Sequence, residues 1–184
     1  IDGEGLDWDT AWDITKRSIS YTNHTILPEA LEKWPIDMFR KLLPRVYDFV
    51  EEIDRRYIES FPRNIDNWQK LIETTAILWN GEVRMANLSI ISGHTVNGVA
   101  ALHTEILKNN VLHDFYVLKP DMFQNKTNGI PHRRFLAQAN PAYSRLITET
   151  IGDKWMKDAD ELEKLMAYKE DKAFLEAMDK CKLQ

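Results

Sequence analysis

Cysteine occurs once in the 184 residues, at Cys181. That excludes a disulfide framework within the chain, and a lone thiol suits a reducing compartment. Glycine is scarce, with only 7 residues. A complete α/β nucleotide-binding domain would carry more, at its phosphate loops and tight turns. No apolar run approaches the length of a membrane span. Positive charge is in deficit: the net charge is −5 and the pI about 5.6. The broad basic field that nucleic acid or an acidic lipid surface would attract is therefore missing. The five histidines lie at no metal-ligand spacing, so no zinc site is expected. The opening, Ile1-Asp2-Gly3-Glu4-Gly5, has no initiator Met, basic n-region or apolar h-region. The expectation is a segment cut from something longer rather than a signal peptide.

Aromatic residues are plentiful: 6 Trp, 6 Tyr and 7 Phe, within a hydrophobic share of 43%. Disorder is excluded, and the length suits one domain or one and a half. Helical periodicity dominates. Asp7 caps a first helix to Ser18, and Pro28 starts a short one that Pro35 ends. From Pro44, Val46, Phe49, Val50, Ile53 and Tyr57 share one face, opposite Glu51, Glu52, Asp54, Arg55 and Arg56. Phe61-Pro62 stops that helix, and Asp66 to Thr75 forms another with Trp68, Leu71 and Ile72 inward. Met85 to Ile91 reads as the one convincing strand, bounded by Gly81 and Gly93. A helix from Asn97 to Lys108, with Val99, Leu102, His103 and Ile106 on a face, completes one βα unit. Phe123 to Thr127 is a second short extended piece. Asn140-Pro141 starts a helix that Gly152 closes. Two tail helices follow, capped by Asp158 and Asp171.

Three polar segments stand out. Tyr21 to Thr25 is a polar loop. Gly93 to Ala100 joins strand to helix, where backbone amides hold an anion or a sugar hydroxyl, although its spacing is neither GxGxxG nor a P-loop. Phe123 to Ile130 is dense in amide and hydroxyl groups beside a glycine turn, and asparagine both donates to and accepts from a hydroxyl-rich ligand. Taken singly, each has a blander reading as a tight turn or a solvated loop. His103, on an apolar face, reads as a satisfied core histidine. His113 and His132 read as surface residues. The three N-glycosylation patterns, at Asn23, Asn87 and Asn125, read as chance.

In order along the chain, Tyr21-Thr22-Asn23-His24-Thr25-Ile26-Leu27-Pro28-Glu29-Ala30-Leu31-Glu32, His94 to Ala100 (HTVNGVA) and Phe123 to Ile130 (FQNKTNGI) closely resemble segments of the α-glucan phosphorylases. Arg133-Arg134, a following aromatic and Asn140-Pro141 continue the match. The resemblance implies a cytoplasmic, homodimeric enzyme several times longer than this chain. It implies two Rossmann-like domains that take terminal glucose from α-1,4-glucans with inorganic phosphate, giving glucose 1-phosphate with retention. The implied cofactor is pyridoxal 5′-phosphate on a lysine beyond Gln184, its phosphate assisting proton transfer. By motif position, His24 is the catalytic-site histidine that contacts the glucose 6-hydroxyl, and its carbonyl faces developing positive charge. Thr25 sits beside it, Asn128 hydrogen-bonds the same glucose and Val99 lines the pocket. Phe135 stands near the cofactor where many members carry tryptophan, so an indole donor is lost there. Lys126 does not match the cofactor lysine's motif.

The fold class expected is therefore a mainly α piece with one or two short strands, part of a two-domain Rossmann-like glycosyltransferase architecture. Residues 1–128 are expected to end the first domain and residues 129–184 to begin the second, cofactor-binding one. By itself the piece is expected to be inactive. The alternatives are a non-catalytic helical glucan-binding or scaffold module, and a glycosyltransferase of the same architecture using a sugar nucleotide.

Overall fold

The computed structural model describes residues 1–183 and divides into two compact units, Ile1–Asn128 and Gly129–Gln184. Helices dominate both, and six strands of two to four residues are found among the described residues, more than the one or two expected. They form two three-stranded sheets, both in the first unit.

The first unit opens with α1 (Trp8–Ser18), capped by Asp7, whose side chain accepts from the Thr10 amide at 3.0 Å. Strand β1 (Ser20–Thr22) follows. The helix expected from Pro28 to Trp34 shrinks to one 3₁₀ turn, Pro28–Ala30, because Lys33–Pro35 is drawn off as strand β2. Pro35 thus ends an edge strand and leads into α2 (Ile36–Leu42), which the periodicity did not announce. Helix α3 (Pro44–Glu59) stops before Phe61-Pro62, as the sequence indicates. Its buried face is turned from the expected one: Val46 is 46% exposed, while Tyr47, Val50 and Asp54 are buried. The turn has a polar cause. Asp54 Oδ1 accepts from the Ile77 amide at 2.7 Å, and Tyr47 Oη accepts from Arg40 at 3.0 Å.

Helix α4 (Trp68–Thr75) buries Leu71 and Ile72. Strands β3 (Leu78–Trp79) and β4 (Glu82–Arg84) then form a hairpin around Asn80-Gly81, with φ of 50° and 77°. Both values lie in the left-handed region that a tight hairpin turn requires. β4 pairs antiparallel with β3 on one side and β2 on the other.

The expected strand at Met85–Ile91 is a helix, α5 (Met85–Ser92). An apolar run of this length does not distinguish a buried helix from a buried strand. The burial decides it: Ala86, Asn87, Ile90 and Ile91 are inward, at helical spacing. Asn87 pins α5 to the end of α4, donating to the carbonyls of Thr74 and Ala76 at 3.0 and 2.9 Å. The strand of the βα unit lies later, at β5 (Thr95–Gly98), and its helix α6 (Ala101–Ile106) is shorter than expected. Leu102, assigned to the apolar face, is 74% exposed. A π-helical turn (Leu107–Val111), α7 (His113–Leu118) and β6 (Phe123–Asn125) complete the unit. The core gathers Phe39, Val50, Ile77, Val83, Val96 and Leu107.

In the second unit a π-helical turn covers Arg133–Gln138. Helix α8 (Pro141–Ile151) starts on the Asn140 cap and ends at Gly152, with φ of 87°. Trp155 is fully buried and its indole donates to Thr148 Oγ1 at 3.1 Å. The segment after Asp158 is a 3₁₀ helix, Ala159–Tyr168, and α9 (Lys172–Lys182) begins on the Asp171 cap.

Candidate sugar site at the ends of three parallel strands

Strand β5 lies between β1 and β6, parallel to both. Tyr21, Val96 and Phe123 turn one face of this sheet to the core. Thr22 and Asn97 share the alternate face, as does Gln124, which is registered with Asn97. The three polar segments therefore leave the sheet at its carboxyl edge, side by side, where open α/β sheets bind their ligands.

Backbone bonds hold the three exits together. The Asn23 amide donates to the Asn97 carbonyl at 3.0 Å, extending the β1–β5 ladder by one residue. The Lys126 amide donates to the Gly98 carbonyl at 2.8 Å, and the Asn128 amide to the Val99 carbonyl at 3.0 Å. Gly98 is required here. A Cβ on it would lie 2.1 Å from Thr104 Oγ1 and 2.8 Å from Thr104 Cα, because α6 crosses directly over the strand end.

Asn23, almost fully buried, shapes the first exit. Its Oδ1 accepts from the Thr25 amide at 2.8 Å, and Thr25 Oγ1 in turn accepts from the Leu27 amide at 3.1 Å. This pair of turns presents His24 outward, with its side chain exposed. His24 and Thr25 line an open cleft of about 390 Å³ with Tyr21, Asn23, Glu32 and Ser89. Val99 and Asn128 do not line that cleft; they stand along the same strand-end rim, joined to each other through the Asn128 amide. Asn128 is exposed, with backbone and side chain both outside any helix.

His103, the expected core histidine, is half-buried and satisfied at both ring nitrogens. Nδ1 accepts from the Val99 amide at 3.1 Å, and Nε2 faces the Thr25 carbonyl at 3.4 Å. Asn97 is the other residue of interest that motif reading passed over. Its Nδ2 donates to Thr22 Oγ1 at 3.3 Å, while its buried Oδ1 accepts from none of the described residues.

Phe135 belongs to the second unit, where its ring is 59% exposed. Lys126 is exposed on the loop after β6. Burial lowers the pKa of Lys16, but its ammonium donates to the Ile91 carbonyl at 2.9 Å, which leaves it committed to capping α5. The chain therefore offers a pyridoxal cofactor an apolar ring at Phe135 and no free desolvated amine among the described residues. Fit to that cofactor extends no further than an apolar wall. Among the described residues no three His, Cys, Asp or Glu side chains converge as a metal site, and no helix is long and apolar enough to cross a membrane.

A match to the carbohydrate phosphorylases runs over residues 1–184. The chain belongs to the carbohydrate phosphorylase family. It is 49% identical over 176 residues to a glycogen phosphorylase of Bacillus subtilis, a stretch that covers 96% of this chain and 22% of the relative. It is 45% identical over 188 residues to the muscle form of rat glycogen phosphorylase, and 44% identical over 188 to the human muscle form, each covering 99% of this chain and 22% of the relative. The chain thus spans about a fifth of the length of the phosphorylases it matches.

Proposed function

We propose that this segment supplies the glucose-reading rim of an α-glucan phosphorylase. The whole enzyme cleaves the terminal α-1,4 bond of glycogen, starch or maltodextrin with inorganic phosphate and releases glucose 1-phosphate. The observation that carries this reading is the convergence of the His24, Val99 and Asn128 segments at one edge of one parallel sheet. Residues far apart in the chain become neighbours there.

The chemistry of the side chains supports it. An imidazole and a carboxamide both read hydroxyls, because each donates and accepts. His24, held out by the Asn23 turn, takes the glucose 6-hydroxyl, and Asn128 takes a second hydroxyl of the same ring. The His24 carbonyl places a negative dipole toward a sugar that becomes oxocarbenium-like as the glycosidic bond breaks. Thr25 keeps the turn in shape, and Val99 gives the pocket an apolar side. A bound pyridoxal phosphate would supply a phosphate group for proton transfer, and of this chain's residues Phe135 would offer it an apolar wall. Residues 1–128 close the first domain and residues 129–184 open the second. The enzyme acts as a cytoplasmic homodimer. The 184 residues by themselves are inactive, since they span about a fifth of the relatives' length; release of glucose 1-phosphate by the isolated segment would contradict that.

In the full-length protein, His24→Ala and Asn128→Ala should each lower kcat/KM for maltodextrin phosphorolysis by about tenfold or more, about 1.4 kcal/mol of transition-state binding. Unchanged efficiency in both would remove the site from this rim.

A further inference from the structure

Three of the four residues nominated for sugar binding, Thr25, Val99 and Asn128, lie on one hydrogen-bonded path. The fourth, His24, is next in the chain to Thr25, and a residue not among them is the joint of that path. Thr25 offers its carbonyl to His103 Nε2 at 3.4 Å. The other ring nitrogen, Nδ1, accepts from the Val99 amide at 3.1 Å. The far side of the Val99 residue, its carbonyl, accepts from the Asn128 amide at 3.0 Å. His24 and Thr25 are adjacent, so one imidazole ties the first strand exit to the second, and the second carries the third.

The bond pattern assigns the ring's state. A backbone amide donates to Nδ1, so Nδ1 holds no proton and the neutral ring carries its hydrogen on Nε2, the atom that faces a carbonyl. Both nitrogens are matched to their partners in that tautomer and in no other. Helix α6 gives the ring its place: Thr104, the next residue, is buried against Gly98 and bonds the Ala100 carbonyl through Oγ1 at 2.8 Å. His103 is therefore fixed from behind by helix packing and bonded in front to two loops.

We propose that His103 is a positioning residue of the glucose site, resting on the reading above. It touches neither sugar nor phosphate. It sets the orientation of the Thr25 peptide, and with it the placing of His24, relative to the Val99–Asn128 strand end. A core histidine serving stability alone would have no reason to join these two loops in particular.

The test is a double-mutant cycle in the full-length protein with maltodextrin and inorganic phosphate. His103→Ala should lower kcat/KM by about tenfold, mostly through kcat, because ground-state glucan binding draws on contacts outside this rim. In the His24→Ala background the same change should have less than about a third of that effect, since a residue acting through His24 has nothing left to position. Melting temperatures are measured alongside, and any stability loss should be equal in both backgrounds. His103→Asn keeps an acceptor for the Val99 amide and should recover part of kcat, where a purely structural role predicts recovery of melting temperature alone. If His103→Ala does not fold, His103→Asn and His103→Gln are cycled against His24→Ala instead. Additive losses overturn the proposal, as does an unaltered kcat. If His24→Ala and Asn128→Ala are themselves without effect, the site reading falls first, a result distinct from failure at His103 alone.

Discussion

The antiparallel sheet β2-β4-β3 and the parallel sheet β1-β5-β6 both use strands of two to four residues. They depend on different information. The antiparallel one contains a hairpin whose turn is two residues, Asn80-Gly81, in a conformation those residues favour. Its strands carry structural side chains such as Val83, which is fully buried. The parallel one has no local turn. Ser20 pairs with Thr95, contacts across 75 residues, and the helices between must be in place before the pairing is rewarded. In return, three loops emerge at one edge. A hairpin returns the chain beside itself; only the parallel arrangement brings several distant loops to a common rim.

That contrast can be broken most severely at Gly98. Gly98→Ala forces a Cβ against the backbone of α6, and should destabilise the first unit by about 3 kcal/mol, with loss of soluble protein or a large fall in melting temperature. Survival of Gly98→Ala with a normal melting temperature would mean α6 is free to shift.

A smaller effect separates the scaffold from the site. Asp54 is buried, and desolvation raises its pKa against the opposing pull of the Ile77 and Leu78 amides and of Arg84. Its folded pKa therefore exceeds its unfolded one, so the folded state holds the extra proton between the two. Stability falls as pH rises from the ordinary aspartate value of 3.8 through the raised one. Asp54→Asn keeps the acceptor for Ile77 and should abolish that slope. Asp54→Ala leaves the Ile77 amide unpaired, costing about 1–3 kcal/mol, and should speed its hydrogen exchange. Neither change should alter the dependence of rate on glucan concentration once folded protein is counted.

Smallest is Gly81→Ala. Its φ of 77° strains any L side chain, yet nothing lies within 4 Å of the added methyl group. A cost of about 1 kcal/mol is expected, with phosphorolysis unaffected. A loss of activity there would show that the two sheets are not separable.

What was legible in the sequence follows the same divide. Caps depend on neighbours in the chain, and the Asp7, Asn140 and Asp171 caps are where the residues indicate. The expected strand at Met85–Ile91 is a helix: its isoleucines and flanking glycines suit both structures, and the helical spacing of its buried residues, together with the Asn87 bonds to Thr74 and Ala76, shows which applies. Strands β1 and β5 were illegible: three or four residues show no period, and their partners lie far along the chain. The candidate site is readable from the sequence as motifs in order, not as geometry. His24, Thr25, Val99 and Asn128 came from resemblance to the phosphorylases. His103 was visible only as an apolar-face histidine, because its two partners are backbone groups of other segments. Asn23 carried a detectable signal, an Asx residue two before a bonded amide, which passed as part of a polar loop.

The most direct measurement is kcat/KM for glucose 1-phosphate release from maltodextrin and phosphate by the full-length protein, wild type against Asn128→Ala. A strand-end rim that reads glucose predicts a loss of about tenfold or more at an unchanged melting temperature. An unchanged kcat/KM would contradict it.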